Sequence, residues 1–189
     1  KVLLHHAEIF DTFKNAKEFG IDVKEFALNW PAVLARKEKI VNKHAKGIEF
    51  LFRKNKVESM QGWGRWAGPG RVSVENGGKT TEVEATHILF ATGSAARSLP
   101  GIEIDGKTVL SNIEILNLPA VPKTLVIVGA GAVGVEFASI FNSFGTKVIV
   151  LEMLPRVTPV EDDEISAELE KSLKKKGIQI FTEAKVESV

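Results

Sequence analysis

Residues 124–152 read Thr124-Leu-Val-Ile-Val-Gly129-Ala-Gly131-Ala-Val-Gly134-Val-Glu-Phe-Ala-Ser-Ile-Phe-Asn-Ser-Phe-Gly145-Thr-Lys-Val-Ile-Val-Leu-Glu152. The order is that of a strand, a glycine turn, a helix, a second strand and a terminal acid. Leu125 to Val128 form a short apolar run suited to a buried parallel strand. Val133, Phe137, Ile140, Phe141 and Phe144 then recur at helical spacing until Gly145 stops the helix. A diphosphate bound at a helix N-terminus rests on backbone N–H groups, where a Cβ would hold the chain away. Gly129 suits the tight turn, Gly131 the close approach and Gly134 the packing of helix on strand. Glu152 ends the second strand, where its carboxylate can accept hydrogen bonds from an adenosine ribose. The pattern predicts a dinucleotide site; the alternative is a βαβ unit whose glycines serve packing alone. An acid at 152 repels a 2′-phosphate and favours NAD over NADP, although Arg156 shortly beyond it is a cation that a phosphate can use.

The rest of the composition narrows the field. The chain has 189 residues, 44% hydrophobic and 26% charged, which describes an ordinary globular protein. With 25 basic and 24 acidic residues, nothing favours nucleic acid or an anionic membrane as a partner. No apolar stretch approaches the roughly 20 residues that span a bilayer, and no signal peptide is visible, so a cytoplasmic protein is expected. There is no cysteine, which excludes a disulfide, a thiolate metal site or a thiol nucleophile from these residues. His5, His6, His44 and His87 have no zinc-like spacing, and His5 and His6 read as surface or partly buried residues.

Before the glycine turn, Leu3, Ala7, Phe10, Phe13 and Ala16 predict a helix over residues 2–19, with Gly20 as its stop. Pro31 opens a second helix whose face is traced by Val33, Lys37, Ile40, Val41, Ala45, Ile48 and Phe52. Its cations Arg36, Lys39, Lys43, Lys46 and Arg53 read as a solvated face. From Lys56 the period changes to two, predicting short strands at 57–60, 72–74 and 81–85 with a hairpin at Asn76-Gly77-Gly78. His87 to Ala91 is an apolar run that predicts a buried strand ending on Thr92-Gly93-Ser94. Pro119 and Pro122 mark a linker, so a boundary is expected there, dividing the chain into residues 1–118 and 119–189. Beyond Glu152, the acids 161–164 open a helix with Ile165, Leu169 and Leu173 on one face, closed by Lys174-Lys175-Lys176. Strands are expected at Ile178 to Phe181 and again from Val186.

Taken together, Lys1-Val2-Leu3-Leu4, Gly62-Trp63-Gly64, Ala91-Thr92-Gly93-Ser94, Gly129 through Glu136 and Val150 through Arg156 resemble the dihydrolipoamide dehydrogenases among the pyridine nucleotide-disulfide oxidoreductases. The resemblance implies an α/β fold of two Rossmann-like FAD/NAD(P)-binding domains, both incomplete here, with a β-meander in the first. It implies that FAD and NAD are the cofactors, and that electrons pass from dihydrolipoamide through a disulfide and FAD to NAD. The partners implied are a 2-oxoacid dehydrogenase or glycine-cleavage complex and a second copy in a homodimer. The family's first FAD loop and redox cysteines would lie before Lys1, and its dimerisation domain and His-Glu pair beyond Val189. No catalytic residue is therefore expected within the chain, which reads as a central fragment.

Carried over by position, the FAD contacts implied are Lys1 near the flavin, Gly64 at the adenine end, and the crossing turn Thr92, Gly93 and Ser94. The NAD contacts implied are Gly129, Ala130, Gly131, Ala132, Val133, Gly134, Val135, Glu136, Glu152 and Val186. Glu136 stands in an apolar helical turn, where an unpaired buried carboxylate is costly; the resemblance offers Lys1 as its partner. Two other readings stand beside this one: a non-catalytic NAD(H)-binding module, and a glutathione or mercuric reductase of the same family.

Overall fold

The quoted run folds into strand β4 (Thr124–Val128), helix α3 (Ala132–Ser143) and strand β5 (Lys147–Leu151) in a computed structural model that describes residues 1–189. The preceding elements are α1 (Val2–Lys14), α2 (Trp30–Lys54) and strands β1 (Trp63–Gly68), β2 (Arg71–Asn76) and β3 (Lys79–Glu84). Helix α4 (Asp163–Lys175) and strand β6 (Gln179–Phe181) follow. The chain forms two compact units, residues 1–40 with 96–189, and residues 41–95.

In the larger unit β4, β5 and β6 form a parallel sheet with β5 in the centre. The register sets Leu125 beside Val148, and Ile127 and Ile180 beside Val150. Side chains alternate across a strand, so these residues share one face, which packs with Ala138, Ile140 and Phe141 of α3 in the buried core. The opposite face differs from the sequence expectation of a strand buried on both sides: Val126 and Val128 of β4 are exposed. An unbroken apolar run signals capacity for burial on both faces, and only one face here is covered.

Helix α1 lies against α3 and is pinned at both ends. Lys1 pairs with Glu136 at one end. At the other, the Ser143 hydroxyl donates to Asp11 (2.6 Å) and Lys14 donates to the Ser143 carbonyl. Aromatic edges fill the space between, with Phe10 and Trp30 both packed edge-on to Phe144 at 5.9 and 5.5 Å. Helix α1 stops at Lys14, and a single 3-10 turn, Ala16–Phe19, carries the chain to Gly20, whose φ of 70° ends it.

Lys37 keeps its place on the inner face of α2, and its burial has a reason that periodicity does not show. Its ammonium donates to the Leu116 carbonyl (2.8 Å) and the Asn117 side chain (2.7 Å), while Trp30 Nε1 donates to the Leu118 carbonyl (2.8 Å). Together they fasten the segment before β4 onto α2. Lys37→Met retains the aliphatic stem but strands two acceptors, so a loss of about 1–3 kcal/mol is expected from urea unfolding; an unchanged midpoint would show that water replaces the bonds.

The same loop supplies a pH dependence. Asp105 accepts the N–H groups of Lys107, Thr108 and Val109, each at 2.8 Å, and these bonds, the Lys107 one foremost, hold its carboxyl below the usual range. Glu114 is lowered likewise, first by the Ser111 hydroxyl and then by the Ser111 N–H. A depressed folded pKa stabilises fully above the unfolded value and is lost as pH falls through the folded one. Amide exchange at Lys107, Thr108 and Val109, corrected for intrinsic rates, should therefore lose protection only on acidification below the ordinary aspartate range. Loss of protection at neutral pH would contradict this.

In the smaller unit β1, β2 and β3 form an antiparallel meander. The two residues between β2 and β3, Gly77 and Gly78, have φ of 57° and 80°, as a tight hairpin turn requires. Three expectations are corrected in this unit. Residues 57–60 form no strand; the first strand is β1, hidden in the sequence because glycines blur its alternation. Residues 87–91 form no strand either, and Leu89 and Phe90 are 91% and 66% exposed, since an apolar run becomes a buried parallel strand only when other strands flank it. Val41, Ile48 and Phe52 on the expected inner face of α2 are also exposed, because a periodic stripe does not specify what covers it.

Beyond β5, Asp162 caps α4 by accepting the N–H groups of Glu164 and Ile165. Ile165 is exposed, and Ser166 takes the buried place expected for it. Residues 182–189 contain no strand, so Val186 is half-buried in an irregular segment rather than on a sheet.

Candidate functional site

The site forms where β4 ends. Gly129 has φ of 102°, which a side chain would strain, and its N–H donates to Leu151 O (2.8 Å), continuing the sheet for one more residue. A Cβ on Gly134 would lie 2.0 Å from the Gly129 carbonyl oxygen, so only glycine lets α3 return so close to the turn. Gly131 is different. Its φ of −69° suits any residue, and a Cβ there would meet no protein atom within 4 Å. Protein packing explains Gly134 and leaves the backbone at Gly131 open to approach from outside the chain.

Ala130 N–H donates to Glu152 Oε2 (2.7 Å) and Val135 N–H to Gly131 O (3.1 Å). The N–H groups of Gly131, Ala132, Val133 and Gly134 have no acceptor within the chain, and Gly131 at the N-cap offers no side chain to take them. Four orphan donors at the positive end of a helix form an anion cradle. Within the expected segment, Ala130 and Val135 are buried with their amides spent, while Gly131 to Gly134 present theirs. Val133, which shares the helical spacing of the core residues Ile140, Phe141 and Phe144, is 57% exposed on the first turn of α3.

Glu152 is only 8% exposed. Its carboxylate accepts Ala130 N–H through Oε2 and Leu154 N–H through Oε1 (2.8 Å), so it closes the glycine turn from the β5 side. A carboxylate has about four lone-pair sites, so two remain for sugar hydroxyls. Glu136 is half-buried and pairs with Lys1, which is itself exposed. Arg156 is taken: its guanidinium meets Asp163 Oδ1 at 2.6 Å and the Pro159 carbonyl at 3.0 Å.

Sequence reading missed the support behind the cradle. Thr158 N–H donates to Ala130 O (2.8 Å), and Thr158 and Ser166 are linked by their hydroxyls at 3.2 Å, both buried. Neither residue stands in a periodic pattern, and nothing local signals a contact with the glycine turn. On the other side of the chain's division, Gly64 pairs with Val74 in the meander, and Thr92, Gly93 and Ser94 are exposed in an irregular stretch. They belong to the unit of residues 41–95, and the glycine turn with Glu152 to the other.

A family profile described as pyridine nucleotide-disulphide oxidoreductase matches residues 1–189. The chain belongs to that family. Dihydrolipoyl dehydrogenase of Bacillus subtilis (strain 168) is 43% identical to it over 195 residues, covering 98% of this chain and 41% of that protein. Mitochondrial dihydrolipoyl dehydrogenase 1 of Arabidopsis thaliana is 39% identical, covering 100% of this chain and 38% of that protein. Among solved structures, LpdA of Mycobacterium tuberculosis superposes with a TM-score of 0.88 at 27% identity, covering 100% of this chain and 42% of that one. The HOCl-induced flavoprotein disulfide reductase RclA of Escherichia coli gives 0.79 at 26%, covering 100% and 39%. The chain therefore spans about two fifths of the length of the relatives it matches. No helix in it is long and apolar enough to cross a membrane.

Proposed function

We propose that this chain provides the NAD-binding segment, and part of the FAD-binding segment, of a flavin-dependent dihydrolipoyl dehydrogenase. The observation that carries the reading is the cradle of four free amides at Gly131 to Gly134, kept open by a glycine with no packing reason to be one. These donors hold a diphosphate, and Glu152 accepts from the adenosine ribose while fixing the turn. Because Glu152 is acidic and Arg156 is engaged with Asp163, the site favours NAD over NADP.

FAD and NAD supply the two-electron chemistry when bound. The chain's own residues bind and orient. Lys1, its charge balanced by Glu136, would serve the flavin, and in the unit of residues 41–95 Gly64, Thr92, Gly93 and Ser94 would supply backbone contacts to FAD. In this assignment residues 1–118 serve FAD and residues 119–189 serve NAD, with no catalytic residue among them. The substrate is dihydrolipoamide carried on a 2-oxoacid dehydrogenase or glycine-cleavage complex, and the working form is a homodimer. Relatives include bacterial proteins and ones named as mitochondrial, so similarity does not single out the cytoplasm.

Fluorescence titration tests the cradle: NADH should bind, with NADPH weaker by roughly tenfold or more. Equal affinity for both would remove the role given to Glu152. The exposed Thr92 to Ser94 and the unpaired run at 87–91 favour a second reading, NAD(H) binding without flavin. A colourless protein that binds NADH supports that second reading; a yellow one with diaphorase activity supports the first.

A further inference from the structure

Thr158 carries a backbone oddity: a β-branched residue with φ of 41°, in the left-handed region that disfavours such side chains. Strain of this kind persists only where surrounding structure imposes it, and it tends to mark places that serve function. The surroundings here are specific. Val157 and Ser166 beside Thr158 are fully buried, the Ser166 hydroxyl reaches both the hydroxyl and the carbonyl of Thr158 (3.2 Å each), and Arg156 holds the Pro159 carbonyl. The Thr158 carbonyl also accepts the Glu161 N–H (2.9 Å), and on the side of the glycine turn the residue presents its own N–H, 2.8 Å from the Ala130 carbonyl oxygen.

That carbonyl shares a peptide plane with the Gly131 N–H. In a trans peptide the C=O and the following N–H point in opposite directions, and the chain has no cis peptide bond. Drawing the Ala130 carbonyl toward Thr158 therefore turns the Gly131 N–H away from Thr158. The preceding plane is pinned as well, since Ala130 N–H is held by Glu152. We propose that Thr158 is a positioning residue for the dinucleotide: its backbone N–H, set by Ser166, fixes the direction of the Gly131 N–H, the first donor of the cradle. The inference rests on the dinucleotide reading above and names the device that preorganises the site.

The direct test replaces the Val157–Thr158 amide by an ester, which deletes this N–H and keeps the side chain. Affinity for ADP-ribose should fall about tenfold, with adenosine affinity unchanged, because the Gly131 donor serves only the diphosphate. In the unaltered protein, ADP-ribose should shift the Gly131 amide proton downfield, and the ester should abolish that shift. S166A should give the same pattern in weaker form, and T158S, which keeps both the N–H and a hydroxyl, should retain ADP-ribose affinity. Equal weakening of ADP-ribose and adenosine, or an unchanged Gly131 shift in the ester, would overturn the inference while leaving the cradle in place. Failure of the unaltered protein to bind ADP-ribose at all would overturn both.

Discussion

Gly134→Ala should prevent a stable fold or reduce unfolding free energy by at least ~3 kcal/mol, since the added methyl would meet a backbone oxygen at 2.0 Å. No flexible side chain stands there to give way. The obstructing atom is the Gly129 carbonyl oxygen, in a turn whose N–H is already tied to β5. Relief would require moving α3 off the sheet, exposing Ala138 and Phe141, both now fully buried. Gly131→Ala is the paired control. Its Cβ meets nothing and its backbone suits alanine, so the unfolding midpoint should hardly move, while NADH affinity should fall by tenfold or more because the methyl enters the cradle. Denaturant unfolding and NADH titration of the two variants separate packing from binding. A Gly131→Ala protein that binds NADH normally would mean the close approach does not occur.

Glu152→Ala should be the next most damaging change, because one carboxylate serves two backbone donors. Its removal leaves the buried Ala130 N–H and the part-buried Leu154 N–H, now at 2.7 and 2.8 Å from oxygen, without their acceptor. At about 1–3 kcal/mol for a buried donor left unsatisfied, and less at Leu154, where water can take the bond, a loss of roughly 1–4 kcal/mol is expected. NADH affinity should fall too, since the turn loses its brace and the ribose its acceptor. Glu152→Gln keeps one acceptor oxygen and should fall between Ala and Glu in stability. If Gln matches Ala in stability, the hydrogen bond to Ala130 is not what holds the turn.

The features that could be read from residue order alone are those that depend on neighbours along the chain. The glycine turn, the helix that Gly145 ends, the Gly77-Gly78 hairpin and the Asp162 cap all follow from what φ, spacing and a short polar side chain permit locally. The family membership was legible for the same reason, since Gly129 through Glu136 concentrates several such constraints in a few residues. The misreadings share the opposite cause. Val126 and Val128, the α2 stripe at Val41, Ile48 and Phe52, and the run at 87–91 have the composition of buried elements without the covering partner.

Within the site the division is the same. Residue order alone specified the strand, glycine turn and helix around Gly129 to Gly134 and the acid at the end of the next strand, because these are short-range backbone requirements. Folding in three dimensions set which amides stay free, braced the turn with Glu152, engaged Arg156 with Asp163, and put Thr158 behind Ala130. Each of these is a contact between segments brought together by β5 and α4, and hydrogen bonds between distant backbone groups leave no periodicity or residue type by which to be read.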